Sequence, residues 1–276
     1  MSLPPLILIH GYPFDHSMWQ FVVAALSHQT RVLTPDLPGF GDNPVDSAEP
    51  SIDQMADDIA KFFDFHNIKQ AVVGGMSMGG YVALSFAERH KERLAGLALI
   101  STQSNADLPE NQQSRRELIE KVRREGTTRA SEAILPKLFS ATHRDNPKLA
   151  RFAIEGAEKA GVAGICWALE AMARRPDRSA VLTALTVPAT VIHGAEDQIV
   201  PTGRARKMAE AIPNGIYVEI PGVGHASPLE AGEKIADALL ELLQRSSAFL
   251  NRNPAANDDV SRNRPGIIWS PTERGL

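Results

Sequence analysis

The chain has 276 residues, of which 43% are hydrophobic and 22% are charged, as is usual for a folded globular protein. This length allows one large α/β domain, or one domain that carries an insertion. A net charge of −4 provides no basic surface for nucleic acid or for an anionic membrane. We therefore expect neither kind of partner, and both a monomer and a homodimer remain open.

Only one cysteine is present, which excludes an internal disulfide and a cysteine-based metal cluster. Cys166 lies in an apolar run, so we predict a core residue rather than a reactive thiol. The first residues contain no basic segment, and the apolar run Leu6–Ile9 is too short for a signal peptide or a membrane span. These features predict a cytoplasmic protein.

Strand and helix patterns alternate over the first hundred residues. Continuous apolar runs predict buried strands at 6–9, 31–34, 71–73 and 94–100. Helical apolar spacing separates these runs, and Ser51 is a candidate N-cap for one of the helices. The alternation predicts a parallel sheet with helices on both faces.

The alternation stops between residues 103 and 186, where the sequence is charged and favours helices. We predict a helical cap at 103–186, inserted into an α/β core formed by 1–102 and 187–245. Strands at 189–192 and 216–220 and helices at 203–211 and 230–243 would complete the core. Residues 246–276 are rich in Asn, Asp, Arg and Pro and are predicted to form a polar tail.

The motif Gly75-Met76-Ser77-Met78-Gly79 lies between a predicted strand and a predicted helix. So sharp a turn forces the serine into a strained backbone conformation, and glycines are needed on either side because a Cβ would collide there. The hydroxyl would project at a helix N-terminus, where free N–H groups favour a developing oxyanion. A glycine-rich loop can match the same pattern by chance, so the interpretation depends on partners elsewhere in the chain.

Asp197 and His225 each follow a predicted strand. Because open α/β sheets build their sites beyond the carboxyl ends of the strands, we expect both side chains to approach Ser77. A serine hydroxyl needs a base that is itself oriented by a third group. The chain order Ser77, Asp197, His225 is that of the α/β-hydrolase fold, and we predict these residues as a catalytic triad.

Other residues near the predicted strand ends have competing interpretations. Glu196 adjoins Asp197 and is the alternative acid. Asp36 also follows a strand, but it precedes Leu37-Pro38-Gly39 and is predicted to stabilise a turn. Four more are predicted to be loop ties, surface or core residues rather than substrate contacts: His10, His16, Trp19 and His193.

The motifs together resemble the α/β-hydrolase fold, and within it the small serine hydrolases with a helical cap, such as 3-oxoadipate enol-lactonases, cofactor-free haloperoxidases and small carboxylesterases. They cover residues 6 to about 243 and are more specific for the fold and the triad than for a substrate. The matching segments are His10-Gly11-x-Pro13, Asp36–Gly41, Gly75–Gly80, Gly194–Asp197 and Gly224-His225.

This resemblance implies that Ser77 attacks an ester carbonyl, that His225 transfers the proton to the leaving group, and that Asp197 orients the imidazole. The backbone N–H groups of Tyr12 and Met78 would form the oxyanion hole, and no metal or cofactor is required. The implied activity is hydrolysis of small carboxylic esters, with lactones as the alternative. A perhydrolase or haloperoxidase-like side activity and a slow-turnover ligand receptor are further alternatives.

One departure from the family pattern concerns the edge of the sheet. Many relatives carry a two-stranded hairpin before the first strand, whereas only about five residues precede it here. We therefore expect about six strands and a less protected edge. The segment Gly266–Trp269 of the tail, or a second copy of the chain, is a candidate to cover exposed apolar surface.

Overall fold

The computed structural model describes residues 2–45 and 49–253 and the backbone of residues 267–268. Within these residues, parallel strands form one sheet in the order β6-β5-β4-β3-β1-β2-β7. The six strands β1 to β6 confirm the predicted sheet, and β7 adds a short strand outside β2. The strands are β1 (Leu6–Ile9), β2 (Val32–Leu33), β3 (Ala71–Met76), β4 (Leu94–Ile100), β5 (Ala189–Gly194), β6 (Ile216–Ile220) and β7 (Ile267–Ile268).

The described helices divide into those that flank the sheet and those inserted between β4 and β5. No helix of the described residues is both long and apolar enough to cross a bilayer. The flanking helices are α1 (Gln20–Leu26), α2 (Ile52–Phe65), α3 (Met78–Arg89), α8 (Thr202–Ala211), α9 (Ser227–Glu230) and α10 (Gly232–Arg252). The inserted helices are α4 (Pro109–Glu125), α5 (Thr128–Leu138), α6 (Pro147–Arg174) and α7 (Ser179–Ala184).

The strands are apolar throughout because both faces of the sheet are buried. Along β1, Ile7 and Ile9 contribute to an apolar cluster with α2, α3 and α8, whereas Leu6 and Leu8 contribute to a cluster with α1 and α10. This alternation is the two-residue period of a strand, seen here with helices on both sides. The predicted doubly covered parallel sheet is therefore confirmed.

Helix α2 shows how local sequence sets an element. The Ser51 hydroxyl accepts hydrogen bonds from the N–H groups of Asp53 and Gln54, which caps the first turn as predicted. Ile52, Met55, Ile59 and Phe63 are all buried, as their helical spacing predicts. The cap and the apolar stripe together fix where this helix begins and which face it buries.

The insertion between β4 and β5 is helical, as predicted, and is fastened to the core. Helix α6 is interrupted at Gly161, whose φ of 65° is not helical, so it consists of two helical segments joined at a kink. Before α7, Arg178 is 5% exposed and pairs with Asp53 on α2 and Glu88 on α3. These two ion pairs join the end of the insertion to the helices beside the sheet.

The end of the chain differs from the prediction. Helix α10 continues to Arg252, into the segment predicted as a polar tail, because Ser246 and Leu250 extend its buried stripe. Of the predicted covering segment Gly266–Trp269, residues 267–268 form β7 and pair with Val32 and Leu33 of β2. Residues 266 and 269 lie outside the described part of the chain. Strand β2 itself is shorter than the predicted run 31–34.

Candidate active site

Ser77 occupies the turn between β3 and α3. Its φ of 52° and ψ of −113° are the strained conformation expected of a nucleophile elbow. The Ser77 N–H donates to the carbonyl of Ile100 (2.9 Å), and its carbonyl accepts from the Thr102 hydroxyl (2.8 Å). A Cβ at Gly75 or Gly79 would collide with backbone carbonyl oxygens, so both positions require glycine. The turn therefore holds the Ser77 hydroxyl at the carboxyl edge of the sheet.

The structure brings the three predicted residues together. His225 Nε2 lies 2.9 Å from Ser77 Oγ, and His225 Nδ1 lies 2.8 Å from Asp197 Oδ2. Because an ionised carboxylate can only accept, Nδ1 carries the proton and donates to Asp197. Nε2 is then free to accept the proton of the Ser77 hydroxyl, which is the arrangement that a general base needs.

Asp197 is buried, yet it is held in its ionised form. Burial alone would raise the pKa of Asp197, but attraction to His225 and hydrogen bonds from its ring and from the Val200 N–H outweigh burial and lower that pKa. Its Oδ1 accepts from the N–H groups of Ile199 (2.8 Å) and Val200 (2.9 Å). Asp197 therefore presents a fixed negative charge to the imidazole.

The two predicted oxyanion donors lie beside the serine. A Cβ placed on Gly11 would come within 3.3 Å of Ser77 Cβ, so the loop that carries Tyr12 passes directly over the nucleophile. Met78 is the first residue of α3, and its N–H therefore has no intrahelical acceptor. Neither the Tyr12 nor the Met78 N–H bonds to an acceptor within the described ranges. Two backbone donors thus remain open at the edge where Ser77 projects.

The competing acid and the nearby carboxylate have structural partners. Glu196 accepts from the N–H of Ala141 (2.8 Å) and so ties its loop to the insertion instead of contacting His225. Asp36 accepts from the backbone and the ring of His16, and its own carbonyl accepts from the Asn43 side chain. The contacts of Asp36 fit the turn role that the sequence predicts, and Glu196 has a structural partner away from His225.

The remaining candidates lie in the core or in loops. His10 accepts from the N–H of Leu37 (2.9 Å), and His193 Nε2 donates to the carbonyl of Val200 (3.0 Å). Burial lowers the pKa of both imidazoles, so both are neutral and hold neighbouring loops by hydrogen bonds. Trp19 is fully buried, and Cys166 is buried with its thiol pKa raised by desolvation. Among the described residues, no group of three His, Cys, Asp or Glu side chains could hold a metal ion.

Sequence reasoning missed Glu230, whose side chain is fully buried under the His225 loop. Its carboxylate accepts from the N–H of Gly224 (3.1 Å) and from the N–H of Ser140 (2.9 Å), and it lies 3.1 Å from His143 Nδ1. On the other side of His225, the Ala226 N–H donates to the carbonyl of Leu138 (3.0 Å). Both residues that flank His225 are therefore tied to the insertion, directly or through Glu230.

Comparisons with known proteins show the family to which the chain belongs. The family model described as alpha/beta hydrolase fold matches residues 4–232, and the chain belongs to this family. The resemblance inferred from the motifs is thus confirmed, as is the fold class.

Individual relatives extend over most of the chain. An esterase from Thermogutta terrifontis, solved with malate bound, is 36% identical with a TM-score of 0.85, over 89% of this chain and 91% of that one. The enol-lactonase from Burkholderia xenovorans LB400 is 28% identical with a TM-score of 0.79, over 88% of this chain and 92% of that one. A dihydrolipoyllysine-residue acetyltransferase component of the acetoin cleaving system from Pseudomonas putida is 28% identical over 87% of this chain, which spans 64% of that protein's length.

Proposed function

We propose that this protein is a serine hydrolase that cleaves carboxylic esters of small molecules through an acyl-serine intermediate. The observation that carries the proposal is the continuous chain of hydrogen bonds from Ser77 through His225 to Asp197. The N–H groups of Tyr12 and Met78 lie beside it without an acceptor among the described residues. Ser77 is the nucleophile, His225 the general base and then acid, and Asp197 the group that orients the imidazole. The protein would act in the cytoplasm on a small-molecule substrate.

The proposed reaction has two halves. Ser77 Oγ attacks the ester carbonyl while His225 Nε2 takes the hydroxyl proton, and the N–H groups of Tyr12 and Met78 stabilise the oxyanion. The intermediate collapses, the C–O bond to the leaving group breaks, and His225 returns the proton to the departing alkoxide. A water molecule then attacks the acyl-serine while His225 takes one of its protons, the C–O bond to Ser77 Oγ breaks, and His225 returns the proton to Ser77 as the acid is released. Helices α4 to α7 would act as the cap that limits substrate size.

Lactones are the second candidate substrates, and the similarity to an enol-lactonase supports them. In a lactone the leaving alkoxide is part of the acyl group, so it becomes a hydroxyl that stays on the acyl chain in the acyl-serine and in the hydroxy acid that is released. The same three residues would serve both reactions. Peroxide in place of water would give a perhydrolase side reaction, and a receptor with slow turnover would retain the relay but release its acyl group slowly.

Initial rates on 4-nitrophenyl esters from acetate to laurate, with a lactone panel followed by proton release, test the proposal. We expect a maximum at short acyl chains that is absent in Ser77→Ala, while the variant keeps the melting temperature of the wild type. Fast lactone opening with slow ester cleavage would favour the lactonase. Absence of turnover on both sets would contradict a hydrolase and favour the receptor.

A further inference from the structure

A cavity of about 430 Å³ lies between the insertion and the loop that follows β1. This volume is within the range of small-molecule sites. Helix α4 supplies charged residues to its wall, and α5 and α6 supply apolar ones. The lining residues include Tyr12, Arg115, Glu117, Lys121, Ile134 and Leu169.

One lining residue of this cavity adjoins the nucleophile, and Arg175, which lies outside the lining, contacts the helix that follows Ser77. Tyr12 lines the cavity with its own atoms and follows Gly11, whose backbone lies against Ser77. On the other side, Tyr81 lies one turn after Ser77 on α3, and the guanidinium of Arg175 stacks 3.9 Å from its ring centroid. Tyr12 therefore joins the cavity to the oxyanion loop, and Arg175 contacts the elbow helix.

The positive charges of Arg115 and Arg175 outnumber the single negative charge of Asp107 between them. Asp107 is 6% exposed and pairs with Arg115 (Nε to Oδ2, 2.6 Å) and with Arg175 (2.8 Å), so two guanidinium groups share one carboxylate. Arg175 also donates to the carbonyls of Met172 and Asn105. The further contact of Arg115 is to the sulfur of Met172 at 3.5 Å, a weak acceptor. One positive charge is left over, and Arg115 is the guanidinium of the two that faces the cavity.

Lys121 adds a second positive charge to the wall. Its ammonium group has no hydrogen-bond or ion-pair partner within the described ranges. Glu117 is the acidic side chain at the wall, and it accepts a hydrogen bond from Gln113. With Arg115, Lys121 and Glu117 together, the wall is positive on balance, and a ligand of negative charge would be attracted to it.

We propose that this cavity binds a carboxylate of the substrate through Arg115 and Lys121 while the ester carbonyl lies at Ser77. The remaining N–H groups of Arg115 form a planar fork that suits a carboxylate, and the ammonium of Lys121 adds a point charge at the rim. This inference rests on the proposed function and narrows the substrate to esters or lactones that carry a carboxylate. The apolar side chains of Ile134 and Leu169 would contact the carbon chain between the two groups.

Paired substrates that differ by one methyl group and one negative charge test this inference. Hydrolysis of the monomethyl and dimethyl esters of succinate, glutarate and adipate is followed by proton release, and the ratio of kcat/KM for the charged to the neutral ester is compared among variants. We expect the wild type to favour the charged ester of at least one chain length. The ratio should fall about tenfold in Arg115→Met and about threefold in Lys121→Met.

Arg116→Met is the matched control, because Arg116 is the next residue on α4, is exposed and lies outside the cavity wall. Its ratio should equal that of the wild type. In Arg115→Met the carboxylate of Asp107 keeps its contact with Arg175, and Lys121 is exposed, so neither change is expected to unfold the protein. Equal ratios in the wild type and all three variants would overturn the inference.

A binding measurement separates this inference from the proposed function. Calorimetry on Ser77→Ala, which needs no turnover, should show the monomethyl ester binding about tenfold more tightly than the dimethyl ester, with the difference lost in Ser77→Ala combined with Arg115→Met. If binding shows this preference but no ester is hydrolysed by the wild type, the hydrolase proposal fails alone. If esters are hydrolysed but both bind equally, the carboxylate site fails alone.

Discussion

Asp197 makes contacts that no other side chain at this position can reproduce. Three donors, from His225, Ile199 and Val200, point at its two oxygens. In Asp197→Asn an amide would face one of these donors, and the wrong tautomer of His225 would be favoured. We expect kcat/KM for a 4-nitrophenyl ester to fall by roughly 10⁴-fold with little loss of stability.

The adjacent residue offers the control for this change. Glu196→Gln removes the same charge from the same loop but affects only the contact with Ala141. Its kcat/KM should stay within a few fold of the wild type. Full activity in Asp197→Asn with a large loss in Glu196→Gln would transfer the role of the acid to Glu196.

The contact between His16 and Asp36 predicts that the stability of the fold depends on pH. The hydrogen bond between its ring and Asp36 raises the pKa of His16 above its usual value, and this gain exceeds the opposing effect of burial. Because the folded state binds the proton of His16 more tightly than the unfolded state does, the contact with Asp36 stabilises the fold fully below about pH 6.5. This contribution is lost as the pH rises through the folded-state pKa of His16. In His16→Gln, the melting temperature should therefore change less with pH across that interval than it does in the wild type.

Melting temperatures of the wild type and His16→Gln between about pH 5 and pH 9 would check this. The exposed His28 provides the comparison, since His28→Gln removes an imidazole that has no partner among the described residues. We expect its profile to follow that of the wild type. Identical profiles for all three proteins would show that the contact between His16 and Asp36 contributes no stability that depends on pH.

At the scale of single residues, what the sequence predicts depends on local information. Ser77 has a five-residue motif, and Asp197 and His225 follow apolar runs, so each could be assigned a place at the edge of the sheet. Glu230 and Asp107 could not be identified in this way. Each has a partner that is distant in sequence, Ser140 for Glu230 and Arg175 for Asp107, and only the fold shows that these two carboxylates are buried.

Among the elements, the loop before α9 depends most on contacts with the insertion. Glu230→Gln would place an amide NH2 where one of the two carboxylate oxygens that accept from the Gly224 N–H lies, and would remove the negative charge from the acceptor of the Ser140 N–H. Hydrogen bonds to a charged group contribute about 1.5 to 3 kcal/mol, roughly twice as much as those to a neutral group. We expect a lower melting temperature and a lower kcat, because the residue before His225 loses its anchor.

Glu233→Gln is the matched control for this change. Glu233 lies three residues further along, in the first turn of α10, and is exposed. It should leave both the melting temperature and kcat near those of the wild type. If Glu230→Gln behaves like Glu233→Gln, the loop holds His225 in place without this carboxylate.

Elements with a regular apolar period could be predicted, and those fixed by distant contacts could not. The spacing of Ile52, Met55, Ile59 and Phe63 determines α2, and its cap lies next to it. The extension of α10 to Arg252 was missed because Asn and Arg near its end indicated a tail, whereas burial of Ser246 and Leu250 continues the helix. The cavity between α4, α5 and α6 depends on how these helices are oriented, which periodicity does not define.

For the molecule as a whole, the sheet ends at a pair of very short strands. Strand β7 bonds to β2, and both span two residues. Ending the chain at Asn253 would remove β7 and leave the outer edge of β2 without a neighbour. We expect the truncated protein to melt at a lower temperature and to associate at high concentration, as measured by calorimetry and light scattering.

The contrary result would be an unchanged melting temperature together with an unchanged molecular mass in solution. In that case the pairing of β7 would contribute nothing, and the edge would be protected by β2 being short. An intermediate variant, Ile268→Pro, removes one backbone donor while keeping the tail, and it should reproduce part of the effect.

The pairing of β7 with β2 also has a consequence for the time at which the fold is completed. The ribosome makes β7 about 230 residues after β2, which at typical rates of synthesis takes roughly 10 to 50 seconds. Throughout that interval the growing chain has an open strand edge that no other described element covers. Nascent chains of this protein would therefore be most prone to aggregate, and most dependent on chaperones, during the later part of translation.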